Sequence, residues 1–226
     1  MKALVTGATR GIGEAISREL ASRAYDLLII ARNESDLQRL ATDLVELGAG
    51  EVEYIAADLS STSDRAEVLE SLSGDFDVLV NNLGIYDMTP VNEITSGLMH
   101  QQFCTNFYPA IDITQKLIPS LSERKGNIIF ISSVAAENLI DEAAAYSLSK
   151  AVLKDYIQLL RRNLKPSGVK VSEIVPGPVN TSSWDGIEAP KDEFIQTEDI
   201  VAVLRTILSS DKRISIDKIN INSIKH

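Results

Sequence analysis

Short, unbroken apolar runs recur along this chain of 226 residues, each followed by a longer helical stretch. The runs are Lys2–Thr6, Asp26–Ala31, Val52–Ala57, Asp77–Val80, Asn127–Ser132 and Val169–Val175, with a last one within Ile214–Ile221. Most are solidly apolar rather than alternating, as expected of parallel strands covered on both faces. Between them Ile12, Ile16 and Leu20 mark one helical stripe, and Leu37, Leu40, Leu44 and Leu47 another. Gly48 is placed to cap the second helix, and Pro166 with Gly168 to end the helix that carries Tyr146. The final run, "RISIDKININ", alternates and then slips phase at Asp217-Lys218. Strands alternating with helices of this length predict right-handed βαβ crossovers. The expected fold is α/β: one domain over residues 1–226, a doubly wound parallel sheet of about seven strands with helices on both faces. Ligands of such sheets bind beyond the carboxyl ends of the strands.

Charge narrows the partners. Lys and Arg number 22 against 32 Asp and Glu, a formal charge of −10. That balance argues against non-specific binding to nucleic acid or to an anionic membrane. An anionic ligand would need local arginines. Cys104 is the sole cysteine, so no disulfide forms within the chain. With only His100 and His226 beside it, a Cys/His metal site is not expected. "MKALVTG" shows no signal-peptide core, and the longest apolar runs, "LLIIA" and "NIIFI", are far too short to span a membrane. The expectation is a soluble, cytoplasmic protein.

The first strand runs into "TGATRGIG", residues 6 to 13. Gly7, Gly11 and Gly13 follow a GxxxGxG spacing, unlike the commoner GxGxxG dinucleotide fingerprint. The physics is shared. Glycine allows a tight turn and close backbone approach, and the helix N-terminus offers free N–H groups to a pyrophosphate. This loop resembles the TGxxxGIG loop of the short-chain dehydrogenase/reductase family, whose single domain is a Rossmann fold. Four more segments match that family in order: "AADLS" with Asp58, "NNLG" at residues 81 to 84 with Leu83 where the family has Ala, "YSLSK", and "PGPVNT" at residues 176 to 181. The resemblance is close over about residues 2 to 181 and loose in the tail, which lacks the family's glycine-rich ending. It implies dinucleotide contacts at Thr6, Gly7, Thr9, Arg10, Gly11, Ile12, Gly13, Arg32, Asp58, Leu59, Asn82, Gly84, Tyr146, Lys150, Pro176, Gly177, Val179 and Thr181.

The end of the second strand bears on which dinucleotide. Enzymes that prefer NAD place an acid there, for the ribose hydroxyls. Here Ala31 occupies that place and Arg32 follows. Arg10, in the glycine loop, faces the same pocket in the family fold. Two guanidiniums without a carboxylate suit a 2′-phosphate, so the expected cofactor is NADP(H). The bland alternative is two surface arginines paired with Glu34 and Glu14.

"AYSLSK" carries the chemistry. Tyr146 and Lys150 are four apart on one helix face, with Cβ atoms about 5–6 Å apart. A free phenol titrates near about 10, and a neighbouring ammonium is expected to lower that. Tyr146 could then give a proton to a carbonyl oxygen or take one from an alcohol. YxxxK alone is weak, but it sits in a set. Ser133 ends a strand, and its hydroxyl would bond the reacting oxygen and the phenol. Strand alternation points Ser132 the other way. By the resemblance, Asn106 kinks a helix and holds a water beside the lysine. Asn106, Ser133, Tyr146 and Lys150 are the expected catalytic set.

Candidate substrate-lining residues are Tyr86 and Met88, Glu137 to Glu142, and Thr181 to Phe194. Trp184, the sole tryptophan, either walls the substrate or packs its loop onto its own helix. Asp141 and Glu142 disfavour a strongly anionic substrate. The leading expectation is an NADP(H)-dependent oxidoreductase of a small carbonyl or alcohol, assembled as a homodimer or homotetramer by family analogy. The alternatives are a 3-oxoacyl-(acyl-carrier-protein) reductase-like enzyme and a non-catalytic NADP-binding sensor or scaffold. A Rossmann-like methyltransferase is a further reading, but it needs neither Arg32 nor the Ser-Tyr-Lys set.

Overall fold

The computed structural model describes residues 1–186 and 188–225. Seven strands form one sheet: β1 (Lys2–Thr6), β2 (Asp26–Ala31), β3 (Val52–Ala56), β4 (Val78–Asn81), β5 (Asn127–Ile131), β6 (Lys170–Pro176) and β7 (Lys218–Ile221). Their order is β3-β2-β1-β4-β5-β6-β7, and every pairing is parallel. Strand order reverses between β1 and β4, so a crevice opens beyond the carboxyl ends of those two strands.

The helices are α1 (Gly11–Ser22), α2 (Glu34–Glu46), α3 (Thr62–Ser71), α4 (Ser96–Asn106), α5 (Tyr108–Arg124), α6 (Ala144–Leu164) and α7 (Thr197–Ser209). Each face of the sheet has its own core. On one, Val5 and Ile29 pack with Ile16 and Leu20 of α1, Leu37 and Leu44 of α2, and Ile200 and Leu204 of α7. On the other, Leu79 and Phe130 pack with Val68 of α3, Ile113 and Leu117 of α5, and Leu153 and Ile157 of α6. Burying one such aliphatic side chain stabilises the fold by about 1.5–3 kcal/mol. This division explains the unbroken apolar runs: successive residues of a central strand feed opposite cores.

The edges depart from that pattern. β3 and β7 are partly exposed along their length. β7 falls within the expected Ile214–Ile221 stretch, at its end, because pairing with β6 starts only at Lys218. That is where the alternation slips phase. The other strand bounds shift by a residue at most.

Helix ends follow local chemistry. Asn33, Ser61 and Thr95 each accept a backbone N–H from the first turn of α2, α3 and α4. Gly48 (φ +107°) follows the α2 cap residue Leu47, and Gly168 (φ +80°) ends the turn after α6. The turn after α1 takes the left-handed conformation at Ala24 (φ 56°), in the "SRAYD" connection that lacks a glycine. No helix among the described residues is long and apolar enough to cross a membrane.

Candidate active site

One cavity of about 920 Å³ lies over the β1/β4 crevice and runs from the end of β2 to α6. That volume suits a drug-sized or dinucleotide-sized guest. Its floor is the glycine loop. Gly7 and Gly11 adopt φ of +64° and +55°, which only glycine takes at low cost. A Cβ at Gly13 would lie 2.1 Å from the Gly7 carbonyl oxygen, so α1 reaches its depth only with glycine there. Asn82 ties the loop down: its amide donates to the Thr6 and Gly7 carbonyls at 3.1 and 3.0 Å.

The cavity wall includes Gly7, Thr9, Arg10, Gly11, Ile12, Arg32, Asp58, Leu59, Asn82, Gly84, Ser133, Tyr146, Lys150, Pro176, Gly177, Val179 and Thr181. Three expected residues stand behind it. Thr6 is buried, and its hydroxyl accepts from the N–H groups of Asn82 and Leu83 at 3.1 and 3.2 Å. Gly13 lies inside the helix turn. Asn106, the last residue of α4, accepts from Ile85 N at 2.8 Å and donates to Ile85 O, Gln102 Oε1 and Ser149 Oγ. Its side chain fixes the segment after β4 against α6, and the helix breaks there before α5 begins.

At one end Arg10 and Arg32 face the cavity beside Ala31. Glu14 pairs instead with Arg18, and among the described residues neither Arg10 nor Arg32 is in an ion pair. At the other end stand Ser133, Tyr146 and Lys150. Ser133 Oγ accepts from Ala135 N at 3.2 Å and lies against the Tyr146 phenol. Lys150 Nζ donates to the Ile131 carbonyl at 3.2 Å and sits 5.9 Å from the Tyr146 ring centre. A Cβ at Gly84 would come within 3.4 Å of Lys150 Nζ and 3.3 Å of Asn106 Oδ1, so this glycine leaves room for the ammonium.

The expected lowering of the phenol by its ammonium neighbour is not what the site shows. Burial pushes Tyr146 up to about 12; the Ser133 hydroxyl pulls the other way and Tyr86 adds to the rise. Burial also draws Lys150 down to about 8, against the opposing charge of Glu173. Desolvation is the largest influence on each group. Tyr146 is therefore a neutral phenol across the neutral range, and Lys150 titrates close to it.

Aromatic rings close this end. Tyr86 meets Tyr146 edge-on at 5.0 Å and Trp184 at 5.6 Å, and Trp184 meets Phe194 at 4.9 Å. Trp184 thus both walls the cavity and packs its loop. Met88 is exposed and stands off the cavity. Of Glu137 to Glu142 only Ile140 lines it, because Glu137 turns to Lys218 and Asn220 of β7. Of Thr181 to Phe194, residues 181–184 line it; Ile187 lies outside the described residues. Sequence reasoning missed the face of α4 that carries His100, Gln101, Cys104 and Thr105 onto the wall. Cys104 Sγ lies 3.3 Å from His100 Nε2. Their i, i+4 spacing was readable, but the direction they face depends on how α4 packs. Among the described residues no group of three or more His, Cys, Asp or Glu could hold a metal ion.

Comparison with known proteins agrees with this architecture. The chain is 33% identical over 187 residues to the 11-beta-hydroxysteroid dehydrogenase-like 2 protein of Arabidopsis thaliana, covering 79% of this chain and 59% of that protein. It is 34% identical over 185 residues to the human inactive hydroxysteroid dehydrogenase-like protein 1, covering 80% and 56%. The chain thus spans less than two thirds of the length of either curated relative. Among solved structures, an alcohol dehydrogenase from the archaeon Thermococcus sibiricus, complexed with 5-hydroxy-NADP, superposes with a TM-score of 0.89 at 27% identity. That match covers 100% of this chain and 97% of the other. A family model described as short chain dehydrogenase matches residues 1–192, from the glycine loop past the segment that follows β6, and the chain belongs to that family.

Proposed function

We propose that this chain, acting as one domain, is an NADP(H)-dependent oxidoreductase that interconverts a small carbonyl compound and its alcohol, with Tyr146 as proton donor and acceptor. The observation that carries the reading is the pairing, in one cavity, of a neutral, half-buried phenol at one end with two guanidiniums at the other that form no ion pair among the described residues. The cavity and its glycine floor fit a dinucleotide. Arg10 and Arg32 would hold a 2′-phosphate, the N-terminus of α1 the pyrophosphate, and Asp58 with Leu59 the adenine end. Pro176, Gly177, Val179 and Thr181 would hold the nicotinamide end. The NADP-derived ligand of the archaeal structure supports the same choice of cofactor.

Bound NADPH supplies the hydride. The chain's own residues handle the proton. As negative charge grows on the carbonyl oxygen, Ser133 donates a hydrogen bond to it and Tyr146 gives up its phenolic proton. The Lys150 ammonium beside the ring favours the phenolate left behind. In alcohol oxidation the same groups act in reverse. The ring wall of Tyr86 and Trp184 supports an apolar substrate of modest size. Asp87 and Glu142 both act on Tyr86, whose phenol burial already pushes up, so the mouth disfavours anions. That weighs against an acyl-carrier-protein thioester.

One relative is named inactive, but the presence of Tyr146 and Lys150 in a common cavity favours turnover over a silent sensor. Leu148, Val152 and Leu159 leave an exposed apolar stripe on α6, which supports a homodimer or homotetramer. A single cysteine and a reduced dinucleotide suit the cytoplasm.

The test is absorbance at 340 nm with NADPH and a panel of ketones and aldehydes. The wild type should oxidise NADPH with at least one of them. Tyr146→Phe should lose roughly 100-fold or more while still binding NADPH. Silence of the wild type across the panel, or full activity of the phenylalanine variant, would refute the proposal.

A further inference from the structure

The chemistry above leaves unused the most buried carboxylate of the chain. Glu173 lies on β6, 1% exposed. Its Oε1 has no close hydrogen-bond partner, and the buried Ser132 hydroxyl lies nearby. A carboxylate sealed in a core without hydrogen bonds is costly by several kcal/mol, so such a group either stays neutral or answers a buried positive charge.

The surroundings decide which. Parallel register sets Glu173 between Phe130 of β5 and Lys218 of β7, on the face covered by α6. Four cations flank it from these elements, and three are engaged elsewhere. Lys154 Nζ donates to the Ala136 carbonyl at 3.0 Å. Arg161 Nε donates to Val171 O at 2.9 Å, and its guanidinium faces Asp217 at 3.7 Å. Lys218 pairs with Glu137. Lys150, 4% exposed, has a single carbonyl for a partner and no ion pair among the described residues. The other groups around it are neutral: Tyr146, the Ser133 hydroxyl and the Asn106 amide.

We infer that Glu173 is ionised and serves as the counter-charge of Lys150 from the strand beneath α6, a positioning residue that keeps the lysine an ammonium without touching substrate. No direct salt bridge closes between them, so the coupling runs across space through a medium of low polarity, where it is strong. Its direction agrees with the opposing pulls on Lys150, downward from burial and upward from Glu173. Burial pushes the Glu173 carboxyl above the usual carboxylate range, and the Ser132 hydroxyl on the same side, with Arg161, Lys154 and Lys150, pulls it back toward the charged form. This arrangement supplies a reason for an otherwise costly acid at this position of a central strand. The inference rests on the reading of Lys150 as the ammonium of the reaction, and its test does not need turnover.

In the cofactor-free full chain, trace acylation with acetic anhydride across a pH series, read by mass spectrometry at Lys150, reports the pH at which the amine becomes free. The lysine faces the open cavity, so the reagent reaches it. The wild type should turn reactive near pH 8. Glu173→Gln should move that midpoint down by about one pH unit or more. Glu173→Leu, which fills the site without a polar atom, should do the same and serves if the amide does not pack. In a turnover assay the alkaline limb of carbonyl reduction should shift in parallel. An unmoved midpoint in whichever variant folds overturns the inference. A shifted midpoint in a chain that never turns over leaves it standing and sinks the proposed function instead.

Discussion

Replacing Lys150 should make the fold more stable. Lys150 is 4% exposed, and burial draws it from 10.5 to about 8. Each pH unit of such a displacement corresponds to about 1.4 kcal/mol, so holding this charge in the fold costs about 3 kcal/mol at pH 7. The sign follows from proton counting. Below pH 8 the lysine is charged folded and unfolded, and the cost is fully present. Between about 8 and 10.5 the folded chain gives up its proton while the unfolded chain keeps it, and stability rises. Above 10.5 both forms are neutral and the cost is gone.

Lys150→Met keeps the length of the side chain and removes the charge. It also strips the Ile131 carbonyl of its donor, which takes back about 1 kcal/mol. The variant should therefore be more stable than the wild type by about 2 kcal/mol at pH 7, and should lose that advantage by pH 10.5. Urea unfolding of the cofactor-free proteins, followed by circular dichroism at both pH values, measures the difference. A variant less stable than wild type at pH 7, or a difference that ignores pH, would refute the reasoning. Its loss of turnover alongside a firmer fold would be a direct instance of stability given up for function.

Other substitutions probe separate parts of the argument. Ala24→Gly should raise stability by about 1 kcal/mol in thermal unfolding, because the left-handed turn there (φ 56°) strains a residue with a Cβ; a destabilised variant would contradict this. Gly13→Ala should abolish NADPH binding and lower the melting temperature, since its Cβ would lie 2.1 Å from the Gly7 carbonyl oxygen; wild-type binding by fluorescence titration would show that the loop yields. Arg32→Ala should weaken NADPH binding by about 10- to 100-fold and leave NADH nearly unchanged, the loss of one or two charge-assisted hydrogen bonds. Equal losses for both dinucleotides would remove the 2′-phosphate from the argument.

The covalent order of residues determined everything that depends on near neighbours. Unbroken apolar runs specified central strands, because each lies between two cores. Gly7 and Gly11 were legible because only a left-handed turn explains glycine between a strand and a helix. Tyr146 and Lys150 were legible because i, i+4 spacing alone puts them on one face. Even the soft spots were local: Ala24 in place of glycine, and the phase slip that delays β7 to Lys218. Tertiary structure decided what depends on packing across the sheet. It buried Lys150 and half-buried Tyr146, so that desolvation dominates both groups and reverses the expected direction for the phenol. It brought Tyr86 to Trp184, about a hundred residues away in sequence, and turned Glu137 toward β7 instead of the cavity. It set Glu173 beneath α6 and near Lys150, a placement that strand register and helix docking create together. Local patterns carry backbone preference and face. Burial, and the electrostatics that follow from it, belong to contacts between distant segments and exist only once the chain has closed around them.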